Sequence, residues 1–145
     1  MVGISLLGGV LIVVGTLLPW LQVGALLVNR GIDNPDGAIV IGIGIAACAV
    51  SIFRLLLNTS VASEWPILWK LDSTRRVLGV LLLILAAVAF WTGFVDLQDV
   101  QSRIGEASNT ILGNVGSVGA GLYVVLAGAA LTGLGGLVEA VFRRS

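Results

Sequence analysis

The sequence predicts an all-α protein, a four-helix bundle integral to a membrane with both termini in the cytoplasm. Three observations carry that expectation. Apolar residues make up 57% of the chain and charged residues only 11%, whereas a water-soluble domain carries about 25% charge. Four long apolar runs are separated by polar connections, and mean hydropathy is +1.07. Basic residues are also spread unevenly between the connections. One set (Arg54, Lys70, Arg75, Arg76, Arg143, Arg144) falls on the side of the second connection and the C-terminus, and only Arg30 and Arg103 fall on the other. Cytoplasmic loops hold the excess of Lys and Arg.

The chain has 145 residues, enough for one domain. Its eight basic and eight acidic residues cancel, leaving no basic surplus for nucleic acid. There is no histidine, which removes the commonest metal ligand and the usual general base at neutral pH. Cys48 is the single cysteine, so no intrachain disulfide forms, and the thiol reads as a small buried hydrophobe. No cofactor or metal is expected.

The first run, about residues 3–26, has no charge and no basic leader. It reads as a retained membrane helix rather than a cleaved signal peptide. Pro19 is placed to kink or end it, and Trp20 suits a water interface. Residues 27–37, LVNRGIDNPDG, read as a polar connection closed by the turn Asn34-Pro35-Asp36-Gly37, with Asp36 available to cap the next helix. Asp33 and Asp36 alone fall short of the six or more oxygens that calcium takes.

The second helix is expected at 38–57. Gly42 and Ala46, with Ala38, make a flank of small residues that lets another helix approach, and Gly44 with Cys48 makes a neighbouring one. Arg54, near its end, is expected to snorkel to the interface. Residues 58–76 read as a segment lying on the membrane surface, with Trp65 and Trp69 as interface anchors. The third helix is expected at 77–95, with Trp91 as its far anchor. Leu97, Val100, Ile104, Ala107 and Ile111 then recur three and four apart, an amphipathic helix over 96–112 that either extends the third helix or folds over the bundle.

The fourth helix, expected at 116–142, is the hub. Gly121, Gly128 and Gly135 recur every seven residues, and Gly128, Thr132 and Gly136 every four. A helix so built has a flank with almost no side chains. Glu139 stands four residues before Arg143, the spacing of a weak helix ion pair.

The run LLPWLQVGALL and the later VGAGLYVVLAGAALTGLGGLV resemble the claudin-type tetraspan plan, with Leu122-Tyr123 and Gly135-Gly136 at the matching places. Two departures limit the likeness. Residues 21–37 have neither cysteines nor that family's tryptophan motif, and they are too short for its extracellular sheet, so paracellular sealing does not carry over. The chain is also similar to small uncharacterised four-helix membrane proteins of bacteria and archaea. That resemblance implies a prokaryotic cell membrane and brings no function with it.

The apolar cores hold no histidine, lysine or acid, and proton or ion pumping normally uses ionisable groups at that depth. No nucleophile–base pair can be assembled. The expectation is therefore a non-enzymatic protein whose partners are membrane lipids and either itself or other membrane subunits. An oligomeric channel or carrier for small ions or solutes is the alternative.

Overall fold

The computed structural model describes residues 2–23, 27–58, 72–108 and 116–141. It is mostly helical, with a small antiparallel sheet at one end. The helices are α1 (Val2–Leu17), α2 (Pro35–Asn58), α3 (Asp72–Ser108) and α4 (Ala120–Val141). The strands are β1 (Pro19–Val23), β2 (Leu27–Arg30) and β3 (Gly116–Val118), in the order β2-β1-β3. Here α4 packs along α1 and α3, α1 also packs along α2, and α2 and α3 meet less extensively.

Among the described residues, three helices are long and apolar enough to cross a membrane: Pro35–Leu56, Arg76–Glu106 and Ala120–Val138. Helix α1 has 16 residues, about 24 Å at 1.5 Å per residue, against a hydrocarbon core of about 30 Å. Large apolar side chains cover the outward faces, among them Leu7, Val14, Ile45, Ile84, Trp91 and Leu134. Water-soluble monomers rarely expose contiguous apolar surface on this scale.

The structure changes the expected elements at four places. The first helix stops at Leu17 instead of running to residue 26, because proline disfavours helical geometry in the residue before it; Leu18 N–H still bonds the Val14 carbonyl at 3.2 Å. Strands β1 and β2 then pair antiparallel. Pro19 pairs with Arg30, Leu21 with Asn29 and Gln22 with Val28, and Trp20 falls at an irregularity in the register. Residues expected as the end of the first helix and a polar connection therefore make two strands of a sheet. The third strand comes from the far end of the chain: Leu21 pairs with Val118 and Val23 with Gly116, so α4 begins at Ala120 and not at residue 116.

The Asn-Pro-Asp-Gly stretch is the fourth change. It starts a helix instead of making a free-standing turn. Arg30 N–H donates to Asp33 Oδ2 at 3.1 Å and Asn34 N–H to the Gly31 carbonyl at 3.0 Å, closing a 3-10 turn over Gly31–Asp33. Ala38 N–H then bonds the Asn34 carbonyl at 3.2 Å. Pro35 takes the first helical position, where its missing N–H costs nothing. Asp36 stands in the first turn, where the helix dipole favours a carboxylate.

Residues 72–108 are one continuous helix of 37 residues, about 55 Å long. Its uncharged run, 77–95, spans about 28 Å. Past that run, Leu97 and Val100 pack on the core and Ile104 approaches Gly116 of β3. As far as Ser108 the amphipathic pattern is thus an extension of α3 that flanks the sheet. Of the expected surface segment 58–76, residues 72–76 are instead the first turn of α3 and Asn58 the end of α2; Trp65 and Trp69, the break at Gly113-Asn114 and the Glu139–Arg143 pair lie outside the described residues and side chains.

Candidate functional site

The residue types that organise this chain are glycines, and the structure assigns them to different neighbours. The seven-residue set on α4 faces α1 throughout. A Cβ on Gly128 would sit 2.7 Å from the Gly8 carbonyl oxygen and 2.8 Å from the Ile12 nitrogen. One on Gly121 would sit 2.6 Å from the Gly15 carbonyl oxygen, and one on Gly135 would run into the Ser5 hydroxyl. Real side chains do not occupy such spaces, so the two backbones touch. Gly8 and Gly15 of α1 are themselves seven apart and answer the α4 set in antiparallel register. A seven-residue period keeps one seam facing its partner as two helices coil. That matching spacing was the signal for Gly8 and Gly15, which sequence reasoning passed over.

The four-residue set divides. Gly128 and Thr132 face α1, where Thr132 crowds Gly8. Gly136 faces α3 instead: its Cβ would lie 3.0 Å from the Gly79 carbonyl oxygen and 3.2 Å from the Leu83 nitrogen. So α4 is held on both flanks. On α2 the glycine that packs is Gly44, against Ile12 and Val13 of α1, while Gly9 of α1 meets Cys48. Gly42 has nothing within 4 Å of a Cβ position and is exposed; Ala38 and Ala49 are exposed on the same side, and Ala46 is half-buried.

Trp20, expected as an interface anchor, is 2% exposed and belongs to the core. The register irregularity turns it inward, as bulges re-aim side chains. Its indole Nε1–H donates to the Gly15 carbonyl at 3.0 Å. The ring lies against Gly31 and Gly121, and its own carbonyl accepts from Gly119 N–H at 2.8 Å. One side chain thus joins α1, the sheet, the 3-10 turn and the start of α4. Trp91, by contrast, is 70% exposed.

The buried polar residues mostly serve the helices. Thr132 and Thr16 hydroxyls donate to the Gly128 and Val13 carbonyls at 2.9 and 2.7 Å. Arg54, expected at the interface, is 7% exposed. Ser5 and Ser51 are fully buried, and their hydroxyls have no partner among the described residues. No group of three potential metal ligands occurs among the described residues.

Carboxylates gather at the sheet end. Asp99 pairs with Arg103 at 2.8 Å, both exposed. Asp96, just past the uncharged run of α3, is half-buried, and its Oδ2 is shielded from water with no partner among the described residues.

No family model, curated protein or solved structure matches the chain. Its class therefore rests on the fold itself: a four-helix protein with three helices able to cross a membrane, capped by a three-stranded sheet.

Proposed function

We propose that the chain is a non-enzymatic membrane protein that works by helix–helix association, as a homo-oligomer or as an accessory subunit of a larger membrane complex. In this reading α1 crosses the membrane with the other three helices, both termini are cytoplasmic, and the sheet stands on the opposite side of a prokaryotic cell membrane. The observation that carries the proposal is the open face of α2. The glycines of α4 are occupied within the chain, whereas Gly42, flanked by Ala38 and Ala49, offers bare backbone to the lipid side. Small residues are what allow close helix contact where lipid supplies no hydrophobic driving force. The lack of histidine, and of lysine or acid in the apolar cores, favours a scaffold over catalysis.

A channel reading has less support. The bundle centre is filled by Ile12, Leu122, Val125 and Ala129, all 1% exposed or less, so a conducting path would have to run between copies.

Native mass after gentle extraction, paired with crosslinking in the original membrane, tests the proposal. A fixed oligomer or a fixed-ratio complex that Gly42→Leu disperses is the expected result. A monomer in both measurements, unchanged by Gly42→Leu, overturns it.

A further inference from the structure

The hydroxyls of Ser5 and Ser51 differ from those of the buried threonines. Thr132 and Thr16 donate to carbonyls of their own helices. Ser5 and Ser51 are 1% and 0% exposed, and neither hydroxyl has a partner among the described residues. A serine hydroxyl carries one donor and two acceptor sites, and leaving them unmet away from water is costly.

The packing brings both serines to one junction of three helices. In the layer nearer the sheet, Ile12 of α1 reaches both of its neighbours. Its Cγ2 lies 3.0 Å from where a Cβ on Gly44 of α2 would stand, and its Cγ1 lies 3.0 Å from the same position on Gly128 of α4. Seven residues along each helix, away from the sheet, stand Ser5, Ser51 and Gly135. A seven-residue step returns to the same seam, and the α1–α4 side of this second layer is in direct contact: a Cβ on Gly135 would run into the Ser5 hydroxyl. Isoleucine has two γ carbons, one for each neighbour. Serine has one γ atom, and that of Ser5 lies against α4. The arm toward α2 is missing, and Ser51 supplies a hydroxyl on that side instead.

We propose that this junction binds one water molecule, held between the hydroxyls of Ser5 and Ser51 against the bare Cα of Gly135. Water is the ligand this chemistry selects: both hydroxyls are neutral, each can donate and accept, and the missing arm is small. Buried waters meet polar groups that the chain itself leaves unsatisfied. The water ties α1 to α2 by hydrogen bonds, whereas Ile12 and Gly44 meet by apolar contact alone. The site lies within one chain and stands whether or not the chain associates with partners.

The test uses the full chain, isotope-labelled, in detergent micelles. Water-to-protein NMR transfer should give a cross-peak at the α protons of Gly135 and none at those of Gly128, and Ser51→Ala should abolish it. A silent Gly135 overturns the site, and so does a cross-peak that survives Ser51→Ala, since it would come from the exchanging hydroxyl of Ser5 itself. Thermal melts give a second readout. Ser5→Ala and Ser51→Ala should each lower Tm by roughly 3–6 °C, because each strands the other hydroxyl. The double variant should melt close to wild type, because it leaves no buried hydroxyl at the junction. Single variants that raise Tm overturn the proposal, since they would show hydroxyls buried bare. If a variant does not fold, the wild-type comparison of Gly135 with Gly128 decides, and equal signals at the two overturn the site.

Discussion

The indole of Trp20 donates to the Gly15 carbonyl at 3.0 Å, across the point where α1 gives way to β1. That carbonyl belongs to the last turn of α1 and has lost its helical donor, since the chain leaves the helix at Leu17. The bond therefore caps the helix while the ring fills the space between Gly31 and Gly121. Trp20→Phe keeps much of the packing and removes the donor. Thermal unfolding in detergent should show a loss of about 1–2 kcal/mol, the cost of stranding a buried acceptor. Trp20→Ala should cost about 3–5 kcal/mol. Equal, small effects of both would mean the indole does not join these elements.

Gly128 and Gly42 make a sharper contrast. Gly128→Ala puts a Cβ 2.7 Å from the Gly8 carbonyl oxygen, backbone against backbone, with no flexible side chain to yield. Separation of α1 from α4 should cost more than about 2 kcal/mol. Gly42→Ala meets nothing within 4 Å and removes helix-interior flexibility, so it should be neutral or stabilising by up to about 1 kcal/mol. Paired melts of the two variants check this, and a reversed order would show that the α1–α4 seam is not where these distances put it.

The Asp99–Arg103 pair is close at 2.8 Å, but both side chains are exposed, 55% and 70%. Exposed pairs one helical turn apart contribute about 0.3–0.5 kcal/mol. Arg103→Gln should leave Tm within a degree or two, and high salt should erase even that difference. A large loss would place the far end of α3 in a buried contact.

Sidedness is open to a direct experiment. In the proposed orientation, with both termini cytoplasmic, the sheet end lies outside the cell. In a Cys48→Ser background, a cysteine at position 103 should react with an impermeant maleimide added to whole cells. Reaction only after lysis would invert the topology.

Much of the helical plan is legible in the sequence because it is set by local physics. The apolar runs mark α2, α3 and α4, and the glycine period marks α4 as a packed helix, since bare backbone at regular spacing has use only where another backbone arrives. Even Gly8 and Gly15 are visible once α4 is read as half of a pair. The sheet was not legible. Pro19 announces a break in α1 but cannot say that β1 will find β3 almost a hundred residues later, because strand pairing is a long-range match with no local signature in five residues. Trp20 was misplaced for the same reason: an aromatic at a helix end reads as an interface residue until the strand turns it inward.

What the sequence determined by itself is the class: a helical chain too apolar for water, with acids and lysine kept out of its apolar cores and small residues arranged for close packing. The tertiary structure decided how those features are used. It placed the seven-residue glycines on α1 and Gly136 on α3, left Gly42 open and drew Trp20 into the core. Each outcome depends on which surfaces meet in space. Periodicity along one helix specifies a face, and only the packing of the other helices specifies what that face touches.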